Sequence, residues 1–183
     1  MNSDVFSKIP RLLSPRLILR NFEKKDIIEY IYEFKNENVQ KYLGGVQILA
    51  NEEKHINNWL QNINEKLLMR KLVFTWHITK RENTNISVGR IDLGGFQNKK
   101  VAEIAYYLWE KHWGNGYAKE AIDTVVNFGF EKLELLRIQA IIDNDNIRSK
   151  NVIEKAGFKK EGILRNYPIG KSISDASMYS IIN

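Results

Sequence analysis

The 183-residue sequence contains no cysteine. That excludes a disulfide framework, thiolate-ligated zinc, iron–sulfur clusters and a cysteine nucleophile together. Proline is limited to three residues, which removes collagen-like and proline-rich disordered architectures. No run reaches the ~18 consecutive apolar residues of a membrane span, and the start at Met1 to Ser7 has neither a basic n-region nor an apolar h-region. The expectation is an untargeted, cytoplasmic protein with no membrane partner. Histidine is also sparse: His55, His77 and His112 lie far apart and in no ligand spacing, so no metal is expected.

What is present is ordinary globular material, 43% hydrophobic and 27% charged, in keeping with a single domain over 1–183 and a core of about 16–182. The net charge of +6 favours an anionic partner, but the basic residues are interspersed, and the lack of a continuous basic stripe disfavours nucleic acid.

Periodicity orders the chain. Arg16 to Arg20 alternates charged and apolar residues as a first strand, and Ile27, Ile28, Ile31 and Phe34 follow at helical spacing. Gly44-Gly45 marks a turn, and Asn51 to Lys54 opens a second helical pattern carrying Ile56, Trp59, Leu60 and Ile63. From Leu72 the period becomes two, giving strands over 72–80, 86–93 and 101–108 as an antiparallel meander. Tyr117 to Lys132 places Ala118, Ala121, Ile122, Val125, Val126, Gly129 and Phe130 on one helical face. A buried strand over 137–143, a helix from Arg148 to Ala156 stopped by Gly157, and strands over 158–167 and 174–182 complete a mixed α/β (α+β) domain.

Three groups of residues carry chemistry. Trp113-Gly114-Asn115-Gly116-Tyr117-Ala118 sets two glycines at the start of the strongest helix, where successive N–H groups and the helix dipole can hold a phosphate. Lys111, His112 and Lys119 flank it, with Lys150 and Lys155 on the later helix. A dinucleotide fingerprint fails because its third small residue would be Lys119, and a P-loop ending in Gly170-Lys171-Ser172 fails because its first glycine would be Arg165. Glu103 interrupts an apolar strand, on the same face as Ala105 and Tyr107, which suits a desolvated general base or a solvated surface carboxylate; Asp92 is the weaker competitor. Asn146 and Ser149 follow the buried strand's carboxyl end, as helix caps or ligand-facing groups.

In this order, Ala102-Glu103-Ile104-Ala105-Tyr106-Tyr107-Leu108, Trp113 to Ala121, Asn146-Ile147-Arg148-Ser149 and Glu154-Lys155-Ala156-Gly157-Phe158 resemble the GNAT N-acetyltransferase superfamily. They are similar to its branch of ribosomal-protein N-terminal acetyltransferases, the RimJ/RimL type. The resemblance implies a mostly antiparallel twisted sheet of about seven strands flanked by helices, with a V-shaped splay between the fourth and fifth strands. It implies acetyl-CoA as cosubstrate, with backbone groups of Tyr106, Tyr107 and Leu108 pairing with its pantetheine arm and Trp113, Gly114, Asn115, Gly116, Tyr117 and Ala118 holding the diphosphate. Asn146 and Ser149 would also contact the cofactor, Glu103 would serve as general base and Ser149 as the acid toward the leaving thiolate. The family's usual tyrosine acid is replaced by Ile153, and Glu110 and Lys111 replace a proline and an acidic or polar residue common among relatives. The acceptor implied is a primary amine, either a protein N-terminus or a small molecule such as a polyamine, an amino sugar or an antibiotic. Its pocket would come from Tyr30 to Leu49 and the late hairpin near Tyr167. A homodimer is among the assemblies the family uses, and a non-catalytic acetyl-CoA- or RNA-binding module is the competing class.

Overall fold

The computed structural model describes residues 7–43, 53–169 and 172–183. Gly44-Gly45 and the turn at Gly170-Lys171 lie outside the described residues. Eight strands form one sheet in the order β1-β2-β3-β4-β5-β6-β8-β7. They are β1 (Leu12–Leu13), β2 (Leu17–Arg20), β3 (Val73–Lys80), β4 (Ser87–Gln97), β5 (Val101–Leu108), β6 (Arg137–Asp143), β7 (Lys159–Ile169) and β8 (Ser172–Ile182). The sequence pattern shows seven of these. It misses β1, two residues long and lacking a period of its own, because β1 exists only through its pairing with Leu19 and Ile18 of β2.

Every neighbouring pair is antiparallel except β5 and β6. These two strands, the fourth and fifth of the sequence pattern, pair in parallel only at Val101–Arg137, Ala102–Ile138 and Glu103–Gln139. Beyond Glu103 they part, which leaves the β5 edge from Ile104 to Leu108 without a ladder partner on the β6 side. A sheet that opens mid-strand exposes backbone donors and acceptors that must find another partner. The gap is therefore the place where an extended ligand can complete the ladder.

Both faces of the sheet are covered. On one, Ala102, Ile104 and Leu108 of β5 pack with Ala121, Ile122 and Val125 of α5 (Tyr117–Glu131) and Ile153 of α6 (Ile147–Lys155). On the other, Tyr107 and Trp109 pack with Ile27, Tyr30, Ile31 and Phe34 of α1 (Ile27–Glu33) and its end, and with Val39 of α2 (Glu37–Gln40) and Ile56 of α3 (Glu53–Gln61). A π-helical segment (Asn62–Lys66) and α4 (Leu67–Met69) follow α3. The second layer explains why Thr75, His77 and Thr79 on β3 are buried, as are Phe74, Trp76 and Ile78 on the opposite face. On α1 the buried stripe is Ile27, Tyr30 and Ile31, whereas Ile28 faces outward at 74% exposure. No helix among the described residues is long and apolar enough to cross a membrane.

Candidate active site

The glycine turn is shaped by backbone conformation. Gly114 and Gly116 both take φ +76°, the left-handed region that an L side chain enters only at a cost of ~1–2 kcal/mol. Gly116 is the N-cap of α5, and a Cβ on Gly114 would meet nothing within 4 Å, so the turn opens onto free space beside the helix N-terminus. Asn115 holds the turn from within: its Nδ2 donates to the carbonyls of His112 (3.3 Å) and Trp113 (3.0 Å). Glu120, one turn into α5, accepts from Ser14 Oγ (2.7 Å), Arg16 N (2.7 Å) and Arg16 Nε (2.6 Å), which ties the helix start to the β1–β2 corner.

The cations around this turn are not those expected. Lys111 donates to Glu29 (2.9 Å) and Glu33 (2.6 Å) of α1, Lys119 to Asp123 (2.6 Å) and Lys150 to the Asn144 carbonyl (2.7 Å). His112 is buried against the Ser87 carbonyl at 2.9 Å, and Lys155 is the last residue of α6, at the end remote from the turn. In their place stand Arg16, whose guanidinium lies 4.7 Å from the Tyr117 ring and donates to the Asn115 carbonyl at 3.0 Å, and Arg148, 4.6 Å from the Trp113 ring. Lys80 also approaches Tyr117, at 5.9 Å. The Leu17–Lys80 pairing of β2 with β3 brings Lys80 beside Arg16, a register no local pattern reveals. Arg148 lies between Asn146 and Ser149 on α6, and nothing local to that segment shows that its guanidinium stacks on Trp113.

At the opening of the gap, Glu103 is half-buried at the last β5–β6 pair, opposite Gln139. Burial raises its pKa above the ordinary carboxylate value, and a hydrogen bond from Gln139 tempers the rise. Its face carries Tyr107, whose hydroxyl lies 2.6 Å from that of Tyr30, and across β4 the Arg90–Asp92 pair. Arg90 Nε donates to both Asp92 oxygens (2.9 and 3.1 Å) and its Nη2 sits 2.9 Å from Oδ2. Asp92 is thus neutralised in a fork, whereas Glu103 has no ion-pair partner among the described residues.

On the opposite lip, Asn146 is the N-cap of α6, its Oδ1 accepting from Ser149 N at 3.1 Å. The Ser149 hydroxyl is 2.9 Å from that of Tyr106, which crosses beneath the gap from β5. Leu108 is partly engaged already, its carbonyl accepting from the Trp113 indole N–H at 2.9 Å. Tyr42 Oη donates to the Asp145 carbonyl (3.2 Å), linking the segment after α2 to the loop before α6. The rest of the expected acceptor segment, 44–49, lies outside the described residues, and Tyr167 sits on β7 paired with Ser174. No group of three or more metal-ligating side chains occurs among the described residues.

A parallel pair splayed mid-sheet, above a left-handed glycine turn that opens a helix, coincides with a family match: residues 16–159 match the Acetyltransferase (GNAT) domain. The chain belongs to the GNAT acetyltransferase family. It is an acetyl-CoA-dependent N-acetyltransferase. It is 34% identical over 175 residues to the uncharacterized N-acetyltransferase YoaA of Bacillus subtilis, covering 94% of this chain and 97% of that one. A GNAT-family acetyltransferase structure from Bacillus anthracis superposes with a TM-score of 0.76 at 27% identity, covering 94% of this chain and 98% of the other. RimL, a ribosomal L7/L12 α-N-protein acetyltransferase in complex with coenzyme A, shares the fold with a TM-score of 0.76 at 19% identity, over 96% and 98% of the two chains. The open space over Gly114 and the unpaired β5 edge fit the two parts of acetyl-CoA that need backbone partners, its diphosphate and its amide-bearing arm.

Proposed function

We propose that this GNAT acetyltransferase acts on a protein N-terminal α-amine of the ribosomal-protein type, with Glu103 as general base and Ser149 as the acid toward the departing sulfur. The observation that carries the reading is the position of Glu103. It is half-buried, has a raised pKa, and stands where β5 leaves β6, on the face covered by α1 to α3. The likeness to RimL supports the acceptor class.

Acetyl-CoA supplies the acetyl group as a thioester, the one piece of chemistry that comes from outside the chain. Glu103 accepts a proton from the ammonium form of the acceptor, which at pH 7 predominates for an α-amine of pKa ~8 and still more for a lysine of ~10.4. The N–H groups on the open β5 edge stabilise the charge that develops on the acetyl oxygen. Asn146 holds the first turn of α6 through Ser149 N and keeps its Nδ2 for the cofactor, while Ser149 offers its hydroxyl. Trp113, Tyr117 and Ala118 frame the phosphate turn of Gly114, Asn115 and Gly116, and backbone groups of Tyr106, Tyr107 and Leu108 hold the arm.

The absence of cysteine makes the acceptor assay simple, since a thiol reagent detects only released coenzyme A. Peptides with free N-termini are expected to release thiol faster than the same peptides with blocked N-termini, and faster than polyamines or amino sugars. Equal or faster release by the small amines would overturn the acceptor assignment and leave the family assignment standing.

The turn itself makes a separate prediction. Gly114→Ala forces the +76° backbone to accept a side chain or to rearrange. Calorimetric acetyl-CoA affinity should fall about tenfold, ~1.4 kcal/mol, while global unfolding should shift by no more than the ~1–2 kcal/mol of backbone strain, because nothing packs on that Cβ. Unchanged affinity would remove the diphosphate from this turn.

A further inference from the structure

We propose that Tyr106 is a positioning residue for the reaction, its phenol donating to Ser149 Oγ so that the serine proton is free to point at the cofactor sulfur. The inference rests on Ser149 serving the sulfur as described above, and its own observation is the hydroxyl pair beneath the gap.

Two hydroxyl protons and three oxygens meet here. Tyr106 Oη lies 2.9 Å from Ser149 Oγ and 3.3 Å from the Ser149 carbonyl oxygen. If the phenol gave its proton to the carbonyl, Ser149 would donate back to the phenol oxygen and have nothing left for a ligand. If the phenol donates to Oγ, the serine keeps a free proton and gains a partner for any negative charge it shares. The shorter distance selects the second arrangement, because 3.3 Å is long for an O–H···O bond. Acidity selects it too: a phenol at ~10 is a far better donor than an alkanol near the ~15.7 of water. Burial pushes the Tyr106 phenol further up, to about 12 against the tempering bond to Ser149, so it retains its proton at working pH.

The neighbours leave the pair no other use. Ser149 N–H is taken by Asn146 Oδ1 (3.1 Å), fixing the first turn of α6 and with it the serine side chain. Ile153, one turn on, is fully buried and has no group to donate. Tyr106 reaches the serine from β5 just past the last β5–β6 pair at Glu103, with its ring packed against the main core. A chain of two donors, phenol to serine to sulfur, should favour a thiolate over a thiol in this gap.

Coenzyme A binding tests this without an acceptor. Dissociation constants for coenzyme A and for desulfo-coenzyme A, which lacks the sulfur, are measured by calorimetry from pH 6.5 to 9.5. For the unaltered protein the affinity ratio of coenzyme A to its sulfur-free analogue should rise about tenfold across this range, as the thiol of pKa ~8.5 on the cysteine scale ionises. Ser149→Ala should abolish the rise, and Tyr106→Phe should cut it to threefold or less while leaving desulfo-coenzyme A affinity unchanged. A full rise in Tyr106→Phe, with the rise lost in Ser149→Ala, would overturn the role of Tyr106 and leave Ser149 in place. A full rise in both variants, or none in the unaltered protein, would remove Ser149 from the sulfur as well. Loss of desulfo-coenzyme A binding in Tyr106→Phe would make Tyr106 a packing residue and overturn the proposal.

Discussion

Glu103→Gln is expected to lower turnover about 10²-fold, ~2.7 kcal/mol in barrier, while leaving acetyl-CoA affinity close to unchanged. The size follows from general-base magnitudes at their lower end, because an amine can also lose its proton to solvent before it reaches the gap. Glutamine keeps the volume of the side chain and can still bond across the strand pair to Gln139, so the sheet should be undisturbed. The pH profile separates this from a structural effect. Partial burial raises the Glu103 pKa, so the acid limb of kcat/KM should lie above the ordinary glutamate value of ~4.3, with activity gained as pH rises through it. In Glu103→Gln that limb should vanish, leaving only the ionisation of the amine. Asp92→Asn is the matched control: Asp92 is held in the Arg90 fork, and its loss should weaken stability without removing the limb. If Glu103→Gln kept full turnover, the base would be Asp92 or water.

The parts of this arrangement visible in sequence are those with a local period or a conformational demand. The α5 stripe, the single strands of the meander and the glycine pair belong to that group: each is dictated within a dozen or so residues. Asn146 was legible as a cap or a ligand group because either role needs the same amide at a helix start, and in the structure it caps. What could not be read depends on pairings between distant segments. Lys111 looks like a phosphate cation until α1 folds over it with Glu29 and Glu33. Arg16 looks like the end of a strand until β2 lies along α5 and delivers it to Glu120 and Tyr117. The Tyr30–Tyr107 and Tyr106–Ser149 hydroxyl pairs join residues 77 and 43 positions apart, so no window on the sequence contains both partners. The backbone scaffold of the cofactor site was therefore readable, whereas the side-chain partners that tune it were not.

The largest expected loss of stability comes from a residue outside the gap. Asp26→Ala should destabilise the protein by about 3 kcal/mol, since it leaves the buried Arg20 guanidinium with only the half-exposed Glu23 carboxylate, 3.5 Å away, as counter-charge. Arg20 donates to Asp26 Oδ2 (2.7 Å) and Oδ1 (2.9 Å), and His77 Nδ1 lies 3.1 Å from Oδ2, with both Arg20 and Asp26 under 10% exposed. The chain continues from His77 Nε2 to Ser87 Oγ at 2.7 Å, and the Trp109 indole donates to the same oxygen at 2.6 Å. An aspartate, a histidine and a serine in line suggest a hydrolytic nucleophile, but Ser87 is 1% exposed and its oxygen already accepts from Trp109, so no substrate can reach it. The network instead clamps the start of α1 to β3 and β4, beneath the face that carries Glu103. Burial alone would raise the Asp26 pKa, yet the hydrogen bonds from Arg20 and from the Glu23 amide, with the His77 ring close beside Oδ2, override it and hold the carboxyl well below the usual range. A carboxylate whose folded-state pKa is depressed contributes stability above its unfolded value of ~3.9 and loses it as pH falls toward the folded one. The difference in urea unfolding between the unaltered protein and Asp26→Ala should therefore be full from pH 7 down to about pH 5 and narrow progressively only below about pH 4, as pH falls toward the depressed folded-state value. Other low-pKa carboxylates, such as Glu120 with Arg16, act equally in both and drop out of the difference. Arg20→Met combined with Asp26→Leu should recover much of the loss at pH 7, because removing both charges ends the poorly compensated burial that removing Asp26 alone creates. A double variant as unstable as Asp26→Ala would mean that the Glu23 amide and the His77 ring, rather than the Arg20 charge, need the carboxylate.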